Sequence, residues 1–212
     1  MMKEIYSYQI ACNLLKIGAI KFNFQEPFTW TSGIKSPVYC DNRLSLSFVE
    51  VRNLIKDAYT RVVQEYFPET EVIAGVATGA IAQGALVADK LNLPFVYVRS
   101  KAKSFGLEKT IEGNLEKGKR TVILEDHVST GGSSLKAMKE LQNAGANVLG
   151  MIATLSYELP VAERSFKENN CTLHTLSSFP TVLEVALEKG YITQEEIEKL
   201  QKWHQDPEKY CF

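Results

Sequence analysis

Thr121-Val-Ile-Leu-Glu-Asp-His-Val-Ser-Thr-Gly-Gly-Ser-Ser134 is the stretch whose reading decides the fold. Apolar β-formers end in two adjacent acids, and the acids give way to small hydroxyl residues and glycines. Leu135, Met138 and Leu141 then recur at helical spacing, so the loop opens a helix whose first backbone N–H groups lack internal partners. A buried strand thus delivers carboxylates and an anion-sized turn to one place, and the positive end of the helix favours negative charge there.

The same grammar repeats on both sides. Val72-Ile-Ala-Gly-Val76 is an apolar run followed by Ala77-Thr78-Gly79-Ala80, a small-residue helix through Leu91 and a second run, Pro94-Phe-Val-Tyr-Val98, which together make a βαβ unit. Downstream, Gly145 closes the helix, residues 147–155 read as another buried strand, Pro160 starts a short helix, and Cys171-Thr-Leu-His-Thr-Leu176 reads as a last strand. The prediction is an α/β fold, a doubly wound and mostly parallel sheet, with Glu125 and Asp126 at the carboxyl edge where open α/β sheets take ligands.

The flanks read as additions to that core. Residues 4–17 predict a helix stopped at Gly18, and residues 28–43 predict a hairpin turning at Gly33, held to an edge by Pro37. Ser47 and Glu50 form a capping-box pattern ahead of a helical stripe that ends at Pro68; Thr193 and Glu196 form a second one, leading to Trp203. Residues 99–119 show no apolar period, and their basic residues Arg99, Lys101, Lys103 and Lys109 predict a functional lid. The organisation expected over residues 1–212 is one domain: an N-terminal hood at 1–45, a core at 46–177 and C-terminal helices at 178–212.

A formal charge of −1 gives the whole chain no field for nucleic acid or anionic lipid, so any polyanion site must be local. Cys12, Cys40, Cys171 and Cys211 are scattered, without C-x-x-C or zinc spacing, which predicts reduced thiols and a cytoplasmic protein. No run of about 18 apolar residues occurs, so no membrane span is expected.

Carboxylates at the strand end can accept hydrogen bonds from a sugar diol or hold magnesium through water, while Ser129-Thr-Gly-Gly-Ser133 can wrap a terminal phosphate with backbone N–H groups. The Ala77–Ala80 turn offers a second anion cradle, so the chemistry points to a sugar phosphorylated at both ends. The spacings of a P-loop, a dinucleotide fingerprint and a nucleophile elbow are all missing.

Val122-Ile-Leu-Glu-Asp-His-Val-Ser-Thr-Gly-Gly-Ser133 resembles the phosphoribosyl-diphosphate (PRPP) motif of the type I phosphoribosyltransferases. Residues 28–43, with Ser32-Gly-Ile-Lys-Ser-Pro37 inside them, resemble the orotate-specific members, as do Tyr97-Val-Arg-Ser-Lys-Ala-Lys103, Ile111-Glu-Gly113 and residues 184–193. The resemblance implies transfer of phosphoribose from PRPP to orotate, with magnesium carried on PRPP and a homodimer that shares its active sites. It implies that Glu125 and Asp126 hold the ribose hydroxyls, and that PRPP is further bound by Arg99, Lys103, His127, Val128, Ser129, Thr130, Gly131, Gly132 and Ser133. Thr78 and Gly79 belong to the pyrophosphate turn, Ser129, Lys35, Tyr39 and Arg43 to the orotate pocket, and Asp126 and Lys103 to catalysis. The chain departs from the family pattern at Thr31 and Ser100, where some relatives carry lysine, at Tyr157, where some carry arginine, and at Phe105, where many carry a lid histidine.

Overall fold

The computed structural model describes residues 2–30, 32–100 and 110–210, with side chains from Tyr6 onward. Helix α1 (Met2–Lys16) stops as predicted at Gly18, whose φ of +71° is left-handed backbone. The passage expected to be one hairpin takes part in two antiparallel pairs. β2 (Phe28–Thr29) pairs with β3 (Lys35–Ser36) across the Gly33 turn, whereas β4 (Val38–Cys40) runs back along β1 (Ile20–Phe22). Pro37 separates the two pairs, where a missing N–H costs no ladder bond, and its carbonyl accepts from Asn23 N at 2.8 Å.

The Ser47–Glu50 capping box does not form. Asn42–Ser47 is a 3-10 helix capped by Asp41, whose carboxylate accepts from Arg43 N, and α2 (Val49–Tyr66) starts after Phe48 with no side-chain cap. Ser47 closes the tighter helix and so lacks the extended position from which a hydroxyl caps the next one. The C-terminal box does form: Glu196 N donates to Thr193 Oγ1 and Thr193 N to Glu196 Oε2, at 3.3 and 2.8 Å.

The core alternates as the sequence predicts: β5 (Val72–Val76), α3 (Ile81–Leu91), β6 (Phe95–Val98), then β7 (Ile111–Glu112), β8 (Arg120–Val128), α4 (Gly132–Asn143), β9 (Asn147–Ser156), α5 (Pro160–Glu168) and β10 (Leu173–Ser178). Helices α6 (Phe179–Glu188) and α7 (Gln194–Gln205) complete the chain. Among the described residues the central sheet has the order β10-β9-β8-β5-β6-β7, parallel except for β7, which pairs antiparallel with β6 through Tyr97↔Glu112 and Val98↔Ile111. β7 lies inside the segment expected to lack regular structure; two residues are too few to show a period. Residues 101–109 of that segment, with Lys103 and Phe105, lie outside the described residues, as does Thr31.

Both sheet faces are buried, which is why these strands read as continuous apolar runs. Ile73, Val122, Leu124 and Ile152 face a core shared with α1, α2, α6 and α7; Ala74, Ile123, Met151 and Ala153 face Leu135, Met138 and Leu141 of α4 and Phe166 of α5. The hairpins are tied to the tail by Trp203, fully buried, whose indole N–H donates to Lys35 O at 2.9 Å and whose ring meets Trp30 edge-on at 5.5 Å. Among the described residues no helix is long and apolar enough to cross a membrane, and Cys12, Cys40 and Cys171 are free thiols.

Candidate active site

The site opens where the sheet loses a strand. β5 accompanies β8 only as far as Gly75↔Leu124, while β8 runs on beside β9 through Val128↔Ser156. Residues 125–128 therefore border a crevice at the carboxyl edge, flanked by the loops that open α3 and α4.

Successive strand residues face opposite ways, and the two acids divide accordingly. Glu125 turns inward: it is 6% exposed, its Oε2 accepts from Ser134 Oγ at 2.7 Å and its Oε1 accepts from Asp126 N at 2.9 Å. Burial, partly offset by those two hydrogen bonds and reinforced by the neighbouring Asp126 charge, pushes its carboxyl up to about 7. Asp126 faces the crevice and meets the backbone of Gly79, where an added Cβ would lie 2.6 Å from Asp126 Cβ and Cγ. Only glycine lets the anion turn approach the carboxylate this closely. The Ala77–Thr78 peptide bond in that turn is cis.

His127 follows, half-buried, with Nδ1 3.3 Å from Asp126 Oδ2 but off the line of a hydrogen bond. Burial disfavours its charged form, but attraction to Asp126 and Glu125 prevails and holds the imidazole above its usual value. The loop then reaches Gly131 at φ +82°, which starts α4 without a side-chain cap; Gly132 and Ser133 are exposed at the helix's positive end. Phe166 lies against Gly131, 2.8 Å from where a Cβ would be. This arrangement can seat a phosphate on backbone N–H groups beside a diol-accepting carboxylate.

The structure brings Arg43 to the same place: it lines a water-sized cavity of about 10 Å³ with Asn42, Tyr59, Gly79, Gln83 and Asp126. Its guanidinium already grips Asp41, with Nε donating to Oδ1 at 2.6 Å and one terminal nitrogen to Oδ2 at 2.9 Å. Tyr39 stacks obliquely on Phe28 with ring centres 5.4 Å apart, and the Lys35 ammonium donates to Thr29 Oγ1 at 2.7 Å. Lys35 is thus held by its own hairpin and not by the acids. Tyr157 is core: it is 2% exposed, packed between Trp30 and Phe179, with its phenol pushed up by burial. Arg99, at the end of β6, donates to Glu112 Oε1 at 3.3 Å.

Four residues that hold the acids in place were not singled out from sequence. Tyr59 donates to Glu125 O at 2.5 Å and shares a 2.7 Å hydrogen bond with Thr154; Asn42 Nδ2 donates to Asp126 O at 3.0 Å; Ser134 binds Glu125. Tyr59 had one legible clue, a phenol on the apolar face of α2, since a buried hydroxyl needs a partner. Among the described residues no group of three or more His, Cys, Asp or Glu could hold a metal. A cation at this site would draw its other ligands from substrate oxygens, and the Asp126 carboxylate suits a hard, hydrated one.

Residues 47–177 match the family model described as the phosphoribosyl transferase domain. The chain is 55% identical over 194 residues to an orotate phosphoribosyltransferase of Bacteroides fragilis, covering 92% of each protein. It is 51% identical over 199 residues to an orotate phosphoribosyltransferase of Porphyromonas gingivalis, covering 94% of this chain and 95% of that one. The crystal structure of orotate phosphoribosyltransferase from Aeropyrum pernix superposes with a TM-score of 0.73 at 27% identity, over 87% of this chain and 99% of that one. The motif, the crevice and the kinship along nine-tenths of the sequence agree, and the chain belongs to the orotate phosphoribosyltransferases, a branch of the phosphoribosyltransferase family.

Proposed function

We propose that the crevice beside Asp126 is where this enzyme transfers phosphoribose from PRPP to orotate, yielding orotidine 5′-monophosphate and pyrophosphate in the synthesis of pyrimidine nucleotides. One observation carries the reading: the Asp126 carboxylate, packed against the Gly79 turn, and an uncapped helix N-terminus lie at one strand end, in a chain whose curated relatives at 51–55% identity bear this activity's name. The Val128–Ser133 loop takes the 5-phosphate, and Asp126 accepts the ribose hydroxyls. Glu125 shares that task through the lone pairs its protein donors leave free. Thr78 and Gly79 face the pyrophosphate; Ser129, Tyr39, Arg43 and Lys35 bound the orotate pocket.

The reaction asks for little covalent chemistry from the protein. As the bond from C1 to pyrophosphate lengthens, positive charge grows on the sugar and negative charge on the leaving group. Arg99 and Lys103 are the cations assigned to that leaving group, and a well-placed electrostatic partner is worth about 3–4 kcal/mol in other enzymes. Magnesium enters with PRPP and supplies further charge neutralisation there. Orotate's ring nitrogen attacks the opposite face. A homodimer in which Lys103 serves the partner's site, and a cytoplasmic location fitting the free thiols, complete the proposal.

The purified protein given PRPP, magnesium and orotate is expected to consume the orotate absorbance. Turnover with another base and none with orotate refutes the assignment. For shared sites, Lys103→Ala mixed with Asp126→Asn is expected to recover activity in heterodimers that neither homodimer has; absence of rescue rules sharing out.

A further inference from the structure

Past Leu124, β8 has no β5 partner, and the backbone carrying both acids would be free to shift on that side. Two buried side chains from elsewhere take hold of it at successive carbonyls. Tyr59, 1% exposed on α2, donates to Glu125 O at 2.5 Å and is itself fixed by Thr154 Oγ1 at 2.7 Å. Asn42, 5% exposed in the 3-10 helix, donates to Asp126 O at 3.0 Å, and its amide is oriented by the Cys40 thiol, which donates to Asn42 Oδ1 at 3.0 Å. One clamp belongs to the core and the other to the N-terminal segment that also carries Tyr39 and Arg43.

We propose that Tyr59 and Asn42 are positioning residues for the reaction: by holding the carbonyls of Glu125 and Asp126 they fix where the Asp126 carboxylate meets the ribose diol, and Asn42 registers the 35–43 segment against it. The inference rests on the reading of Asp126 as the diol acceptor. Neither residue touches substrate. Each acts through the strand, so its loss acts on catalysis more than on the fold.

Three variants and one control test this. Tyr59→Phe removes only the hydroxyl, and Asn42→Leu only the amide; each is expected to lower kcat/KM for PRPP roughly ten- to a hundredfold, the scale of a small misplacement of a reacting group. Melting temperatures should stay high enough for the assays to report folded enzyme. Asn42→Asp supplies the discriminating readout. Its carboxylate opposes the Asp126 carbonyl, but once protonated it is isosteric with the amide and donates again, and burial brings that protonation toward neutral pH. Cys40, Asp41 and Arg43 on its own segment, Asp126 and His127 on β8, and Tyr59 on α2 also face this spot. All are present in Asn42→Leu, so the activity ratio of Asn42→Asp to Asn42→Leu isolates the new group and is expected to rise as pH falls from 8 to 5.5, roughly tenfold. A merely structural role leaves that ratio flat.

Asp126→Asn is the control. If it is inactive while the clamp variants keep wild-type kinetics, or the ratio is flat, the clamp is overturned and the site reading stands. If Asp126→Asn is fully active, the site reading falls and the clamp with it. Should Tyr59→Phe fail to fold, the Asn42 pair decides.

Discussion

Glu125→Gln should make this protein more stable and less active, and the gain should depend on pH in one direction. The carboxyl is buried, and Gln fits its two contacts: the amide oxygen can keep the Asp126 N–H, and the amide nitrogen can donate to the Ser134 hydroxyl, which accepts as readily as it donates. The change therefore removes a charge and little packing. In the wild type the carboxyl titrates near 7 when folded and near 4.5 when unfolded. Between those values the folded state binds the extra proton, so the group's contribution is fully present below about pH 4.5 and is lost as pH rises through about 7. At about 1.4 kcal/mol per pH unit that interval amounts to about 3 kcal/mol, which Gln does not forfeit. Wild type and variant should melt together near pH 4.5. By pH 8.5 the variant should lead by about 3 kcal/mol, or roughly 6–12 °C for a chain of this size. Urea or thermal melts at pH 5, 6, 7 and 8.5 read the widening gap directly. A gap that stays constant across that range, or narrows as pH rises, refutes the assignment of a buried, proton-retaining carboxyl to this position.

Gly79→Ala places a methyl against the Asp126 side chain, with carbon contacts of 2.6 Å; catalysis should fall at least tenfold while the melt moves little, and unchanged steady-state kinetics would show the turn to be dispensable. Gly131→Ala forces an L side chain into φ +82° and onto the Phe166 ring, and should cost about 1–3 kcal/mol in urea denaturation, part of it recovered by adding Phe166→Leu. Trp203→Phe leaves Lys35 O without its indole donor in a half-buried hydrogen bond and should cost about 1 kcal/mol. If the 28–43 segment bounds the orotate pocket, the same change raises KM for orotate more than for PRPP, and equal effects on both substrates would detach that segment from the base.

The strands and the two anion turns were legible because their causes are short-range. β5, β8 and β9 are buried on both faces and so appear as unbroken apolar runs, and Gly79 and Gly131 sit where a strand hands over to a helix. What stayed hidden needed geometry the chain does not spell out locally. β7 exists because β6 offers it an edge, not because Ile111-Glu112 has a pattern. Ser47 looked like a cap until the 3-10 turn, set by Asp41 and Arg43, consumed it.

The two acids show where the boundary falls. Adjacency in a strand already implies opposite faces, so their division into a carboxyl turned to Ser134 and one turned to the Gly79 turn was available from the alternation rule; a reading that treats them as a matched pair passes over it. Their surroundings were not available in the same way. Ser134 is near in sequence, nine residues on, but Tyr59 and Asn42 reach their carbonyls across separations of 66 and 84 residues. Both meet β8 beyond the point where β5 ends at Gly75, a mismatch in strand length that appears only once the strands are paired. The same mismatch that opens the crevice for a ligand leaves the strand that carries both acids without a neighbour on its β5 side. Here α2 and the N-terminal segment supply that stretch of strand with buried donors from outside the sheet.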